Sequence, residues 1–119
     1  MKGITIGTYT RWRKEHGQSV PTKAELRAIS DAEVEAIYCT YYWLPSGADD
    51  MAWPMCALQF DAAVNTGVQQ AKVFHEDAGD NVLRYMARRL TFYTGLKTFG
   101  TFGAGWVNRV ADLMKLAAG

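Results

Sequence analysis

The sequence predicts an all-α, single-domain fold, and three observations carry that prediction. Apolar residues recur at three- and four-residue steps through successive segments, and strand-like alternation is absent apart from a stub at residues 2–6. Ser, Thr or Asp stands before most of these segments, twice with Glu three positions on, the signature of a helix start. Gly and Pro gather between the segments rather than within them. At 119 residues the chain holds one core and buries roughly two thirds of its unfolded surface.

Taken in order, Thr5 or Thr8 caps a first helix that runs to about Glu15 and is closed by Gly17. Its apolar stripe is short: Ile6, Tyr9 and Trp12. Thr22-Lys23-Ala24-Glu25 is a capping box, and Ser30-Asp31-Ala32-Glu33 is a better one. The latter opens a helix carrying Val34, Ile37, Tyr38, Tyr41 and Tyr42. Leu44 to Asp50 reads as a loop, and Pro54 admits the next helix. After Gly67 a short helix passes through Ala71 and Phe74 to Gly79. Asp80 caps another, with Leu83, Met86, Leu90 and Tyr93 facing inward. Gly95, Gly100, Gly103 and Gly105 mark a loop before a last helix from about Gly105 to Leu116.

The helix after Pro54 organises the rest. Trp53, Cys56, Ala57, Phe60, Val64 and Gly67 form one stripe, while Leu58, Ala62 and Ala63 make the other sides apolar too. A helix apolar nearly all round belongs at the centre of a domain, with Phe60 in its middle. Asp61 and Asn65 lie four apart on one face of it. Buried polar groups need partners, so the pair either staples neighbouring helices together or looks into a cleft.

Hydrophobic residues at 49% and aromatics at 13% exclude a disordered chain. No apolar run reaches the ~18 residues of a membrane span, and no signal peptide begins the chain, which is the reading expected of cytoplasmic synthesis. Cys39 and Cys56 read as small buried thiols made in a reducing compartment, with a disulfide as the lesser alternative. The net charge of +1 is unevenly spread: residues 81–119 carry six Lys/Arg against Asp112 alone. Arg84, Arg88 and Arg89 are then either a solvated helix face or a basic patch for an acidic partner. Two Cys and two His at no zinc-ligand spacing, with no phosphate-binding or nucleophile motif, predict no metal and no cofactor.

The stretch Phe60-Asp61-Ala62-Ala63-Val64-Asn65-Thr66-Gly67 resembles the FDxAVNxG helix of glycoside hydrolase family 108, peptidoglycan hydrolases of phages and bacteria with a lysozyme-like fold. Gly3-Ile4-Thr5 resembles the family's GIT motif, and Ile37-Tyr38 with Tyr42-Trp43 its IY and YW pairs. Gly105-Trp106-Val107-Asn108-Arg109-Val110 resembles its closing GWxNRV helix. The resemblance implies a lysozyme-like domain over residues 1–119 and a peptidoglycan glycan strand as partner. It also implies Asn65 at the glycan cleft and Asp61 with Arg109 as a polar network beneath it; Tyr42, Trp43 and Thr5 are further cleft candidates, the two aromatics reading equally as core residues.

Lysozyme-type hydrolysis needs a carboxylic acid kept protonated beside the scissile oxygen. The resemblance places that acid in an EGGY-like motif upstream of GIT, and no such motif occurs in these residues. The fold is therefore expected to be truncated at its N-terminus, through a shortened reading frame, a decayed prophage gene or recruitment to another task. The connection after Asn65 is also shorter than the family's. Asp49 and Asp50 in one loop, and Glu76 and Asp77 in another, are the weak substitutes as general acid. Two functions stay open: a weak or inactive muramidase, and a non-catalytic interaction protein that binds cell wall or inhibits a host protein or nucleoprotein. With helical apolar surface uncovered, the second predicts a homodimer or an acidic host partner, and leaves nucleic acid as the lesser option.

Overall fold

A computed structural model describes residues 3–119. Every regular element among them is helical: α1 (Ile6–Glu15), α2 (Lys23–Arg27), α3 (Asp31–Tyr38), α4 (Leu44–Ser46), α5 (Met55–Thr66), α6 (Val68–Ala78), α7 (Val82–Thr94) and α8 (Phe99–Ala118). A π-helical turn over Cys39–Trp43 follows α3, and a 3₁₀ turn over Ala48–Asp50 follows α4. The strand stub expected at 2–6 is not formed by its described residues; Ile4 is instead a buried core side chain. The chain divides into two compact units, Met1–Tyr41 and Tyr42–Gly119.

In the first unit the predicted caps form. Thr5 Oγ1 accepts from Thr8 N–H at 3.1 Å, so the first helix opens at Ile6. Thr22 and Glu25 satisfy each other's backbone N–H groups, both at 3.1 Å. Ser30 Oγ accepts from Glu33 N–H at 3.1 Å. Tyr9, Trp12, Leu26, Ile29, Val34 and Ile37 then close around Ile4.

The second unit is built on α5, but not on the stripe that starts at Trp53. Met55, Leu58, Gln59, Ala62 and Ala63 make the buried face, whereas Phe60 and Val64 are half-buried and Trp53 is 61% exposed. Both faces were apolar, so periodicity alone could not choose between them. Ala62 and Ala63 are wholly shielded, and α5 packs on α6. Gly67 at φ +99° turns the chain directly from α5 into α6, a conformation that favours glycine.

Five expectations are corrected here. Glu76 and Asp77 are helical residues of α6, not loop residues. Asn81, not Asp80, caps α7, its Oδ1 accepting from Arg84 N–H at 3.0 Å. Leu83 is 73% exposed, and the buried face of α7 is Tyr85, Met86, Arg89 and Tyr93. The glycine-rich stretch read as a loop is the first half of α8. At Gly103 the reason is local: the ring of Phe99, one turn earlier, lies where a Cβ would stand, within 2.5–2.8 Å. Cys39, expected to be buried, is an exposed free thiol, and Cys56 is half-buried.

Candidate functional site

Asp61 on α5 lies between two arginines of the second unit. Arg109 of α8 donates from Nε to Asp61 Oδ1 at 2.8 Å and brings Nη2 to the same oxygen. Arg89 of α7 places Nη2 2.6 Å from Oδ2, a close charge contact that is poorly aligned as a hydrogen bond. Arg89 Nε also donates to Tyr93 Oη at 2.9 Å. The hydrogen bond to Asp61 holds the Arg109 guanidinium above its ordinary pKa. Arg89 is therefore no part of a surface patch: it is fully buried and has the carboxylate partner that burial demands.

The expected basic patch shrinks further. Arg88 Nε lies 2.8 Å from Asp77 Oδ2, and Arg84 Nη2 lies 4.0 Å from Asp77 Oδ1. Two of the three arginines thus share an acid from α6, and the third points into the core. The sequence count missed this because α6 and α7 pair their opposite charges across the helix contact.

A second constellation surrounds Trp43, at the end of the π-helical turn. Its indole Nε1 donates to Asp49 Oδ1 at 3.0 Å, and its ring meets Phe60 edge-on with centroids 5.6 Å apart. The backbone here is tied to the core by a relay. Ser46 Oγ donates to Trp43 O at 3.0 Å, and Gln59 Nε2 donates to Ser46 O at 3.0 Å. Tyr85 Oη then donates to Gln59 Oε1 at 2.6 Å. Burial pushes the Tyr85 phenol well above its ordinary value of 10.0, partly offset by nearby Arg89. Ser46, Gln59 and Tyr85 were not singled out from the sequence. Gln59, an amide two residues before Asp61 on an apolar helix, was the available signal.

The remaining candidates are dispersed. Asn65 is exposed, and its Nδ2 donates back to the carbonyl of Asp61 at 2.8 Å, one helical turn earlier. Tyr42 is half-buried against the core of the second unit. Thr5 belongs to the first unit, where its hydroxyl caps α1 and donates to Thr8 Oγ1 at 3.0 Å. Among the substitute acids, Asp49 is held by Trp43 and Asp77 by two arginines, while Asp50 and Glu76 are exposed. None of the four is enclosed by apolar side chains. Among the described residues no group of three or more His, Cys, Asp or Glu is placed to hold a metal ion. No helix among them is long and apolar enough to cross a membrane.

The family model for glycosyl hydrolase 108 matches residues 1–67, more than half of the chain. The chain belongs to glycosyl hydrolase family 108. The matched segment contains α1 to α5, and with them Trp43, Asp49, Asp61 and Asn65. The solved structure of Brucella abortus SagA is similar over 98% of this chain and 77% of its own, at 26% identity and a TM-score of 0.79. A comparison with curated protein sequences gives no match. The protein is thus an all-α, lysozyme-like, peptidoglycan-related member of family 108.

Proposed function

We propose that the chain holds peptidoglycan glycan strands on the Trp43 face and that its 119 residues hydrolyse them slowly or not at all. The observation that carries this reading is the mounting of Trp43: an indole packed edge-on against Phe60, bonded to Asp49, and fixed through its backbone to Ser46, Gln59 and Tyr85. An aromatic ring held beside a carboxylate suits a sugar, whose C–H face packs on the ring while its hydroxyls reach polar atoms. Slow hydrolysis is supported by the absence of an EGGY-like motif in these residues and by the setting of the four substitute acids. Descent from a phage or prophage lysozyme and synthesis in the bacterial cytoplasm belong to the same proposal, on the strength of the motif resemblance.

The test pairs retention with turnover. The chain is expected to sediment with insoluble peptidoglycan and to lose retention in Trp43→Ala. It is also expected to clear suspensions at least about a hundredfold more slowly than a family member with its general acid, since acid catalysis contributes ~10²–10⁴-fold. Lysis at ordinary rates, abolished by Asp49→Asn, Asp50→Asn, Glu76→Gln or Asp77→Asn, would show that a substitute acid operates.

One observation favours the second reading, a non-catalytic interaction protein. Pro54, Val82, Leu83, Met86 and Met114 line an apolar groove of about 600 Å³ in the second unit. Leu83 stands 73% exposed beside it. Such a surface suits a second copy or a host protein. Light scattering across a concentration series, with Leu83→Glu as control, tests that reading: a monomer at every concentration removes the homodimer.

A further inference from the structure

The first unit contains a cavity of about 450 Å³ lined by Thr5, Ile6, Lys23, Leu26 and Arg27. Lys23 and Arg27 are one turn apart on α2, so both cations stand on the same side of that helix. The dipole of α2 favours Arg27, in its last turn, but not Lys23. Lys23 is its first residue, where the helix dipole opposes a positive charge, and Arg27 repels it from one turn away. Arg13, nearby in the same unit, is matched at 3.0 Å by Glu25. Lys23 and Arg27 have no carboxylate partner among the described residues. Leu26, almost wholly buried, and Ile6, 39% exposed, add an apolar wall. Two unmatched cations beside aliphatic surface select an anion that carries a small aliphatic group.

We propose that this cavity binds the carboxylate-bearing peptide stem of peptidoglycan. A stem of short aliphatic residues ending in carboxylates supplies both halves of the match: negative groups for Lys23 and Arg27, and methyl groups for Ile6 and Leu26. A bare phosphate satisfies only the cations. The inference rests on the peptidoglycan reading above and deepens it, adding a peptide subsite in the first unit to the glycan surface proposed in the second. No bond is made or broken here; the subsite holds the polymer.

The test is an amide-resolved NMR titration of the 119-residue chain with four probes. These are a disaccharide-peptide with free carboxylates, the same compound amidated, a chitin tetrasaccharide, and inorganic phosphate. The free-carboxylate compound is expected to shift the amides of residues 5–6 and 23–27. Amidation, or Lys23→Gln with Arg27→Gln, is expected to weaken it about tenfold, as losing charge-assisted bonds should. The tetrasaccharide is expected to leave these amides unmoved. Both substitutions are on exposed side chains, and an unchanged melting midpoint shows that the variant is folded. Affinity that survives both amidation and the double substitution overturns the proposal, as does phosphate shifting the same amides at lower concentration. Should the free-carboxylate compound bind here while sedimentation shows no retention on intact peptidoglycan, the cavity stands as an acidic-peptide site and the peptidoglycan reading falls.

Discussion

Arg89 Nη2 and Asp61 Oδ2 stand 2.6 Å apart where Arg89 has no exposure to solvent. That contact makes Asp61 the counter-charge for a fully buried guanidinium, whereas Arg109, its other partner, keeps about half of its side chain exposed. Removing the carboxylate leaves Arg89 uncompensated in the core. Asp61→Ala is therefore expected to cost about 3–5 kcal/mol, the range for breaking a buried pair from one side. Arg109→Ala, at the wet end of the cluster, is expected to cost about 1 kcal/mol or less. Urea unfolding of the two variants checks the order; equal costs would mean that Arg89 finds another partner.

The two faces of α5 give a second expected outcome. Phe74 is wholly buried in the core cluster that holds Leu58, Ala62 and Ala63 of α5, with edge contacts to Tyr85 and Phe92, while Phe60 is half-buried against Trp43. Phe74→Ala should cost about 3–5 kcal/mol and Phe60→Ala distinctly less, because the latter removes less enclosed surface. Thermal midpoints measured side by side would reverse in order if the Phe60 face were the core.

Tyr85 links stability to alkaline pH. Its folded-state pKa is raised by burial, so the unfolded chain releases the phenolic proton first. The stability this contributes is fully present below the ordinary value of 10.0 and declines as pH rises above it. Tyr85→Phe is expected to flatten that alkaline decline and to cost about 1–3 kcal/mol at neutral pH, since Gln59 Oε1 loses its donor. Unfolding curves from pH 8 upward for both proteins provide the measurement.

Acid should act on the first unit instead. Glu25 is held below its ordinary pKa of 4.5, first by the Thr22 backbone N–H and then by Arg13. A depressed carboxylate stabilises the fold above its unfolded pKa, and that contribution is lost as pH falls through the lower folded value. Amides of α2 are expected to lose hydrogen-exchange protection below about pH 4 before those of α5 do. Glu25→Gln, which removes the charge at every pH, should abolish that pH dependence.

Much of the helical layout was legible because local chemistry writes it directly. Thr5, Thr22 and Ser30 cap where their side chains can reach backbone N–H groups, and Gly67 ends α5 where a positive φ is required. The Asp61–Arg109 contact followed from a charge on an apolar helix and from the closing motif. What stayed hidden depends on partners remote in sequence. Nothing in the order of residues separates Arg89 from Arg88, yet one is enclosed and the other faces Asp77. The start of α8 was obscured because glycine reads as a helix breaker, while at Gly103 it makes room for the ring of Phe99.

The relay from Tyr85 through Gln59 and Ser46 reaches Trp43 at its carbonyl, not at its indole. Replacing the side chain at that position leaves every one of those bonds in place. The backbone frame at residue 43 is thus held independently of the half-buried side chain it carries, so that side chain can be exchanged without breaking the relay. On the glycan-binding proposal above, residue 43 and Asp49, which accepts its indole N–H, are the positions at which to graft a new preference.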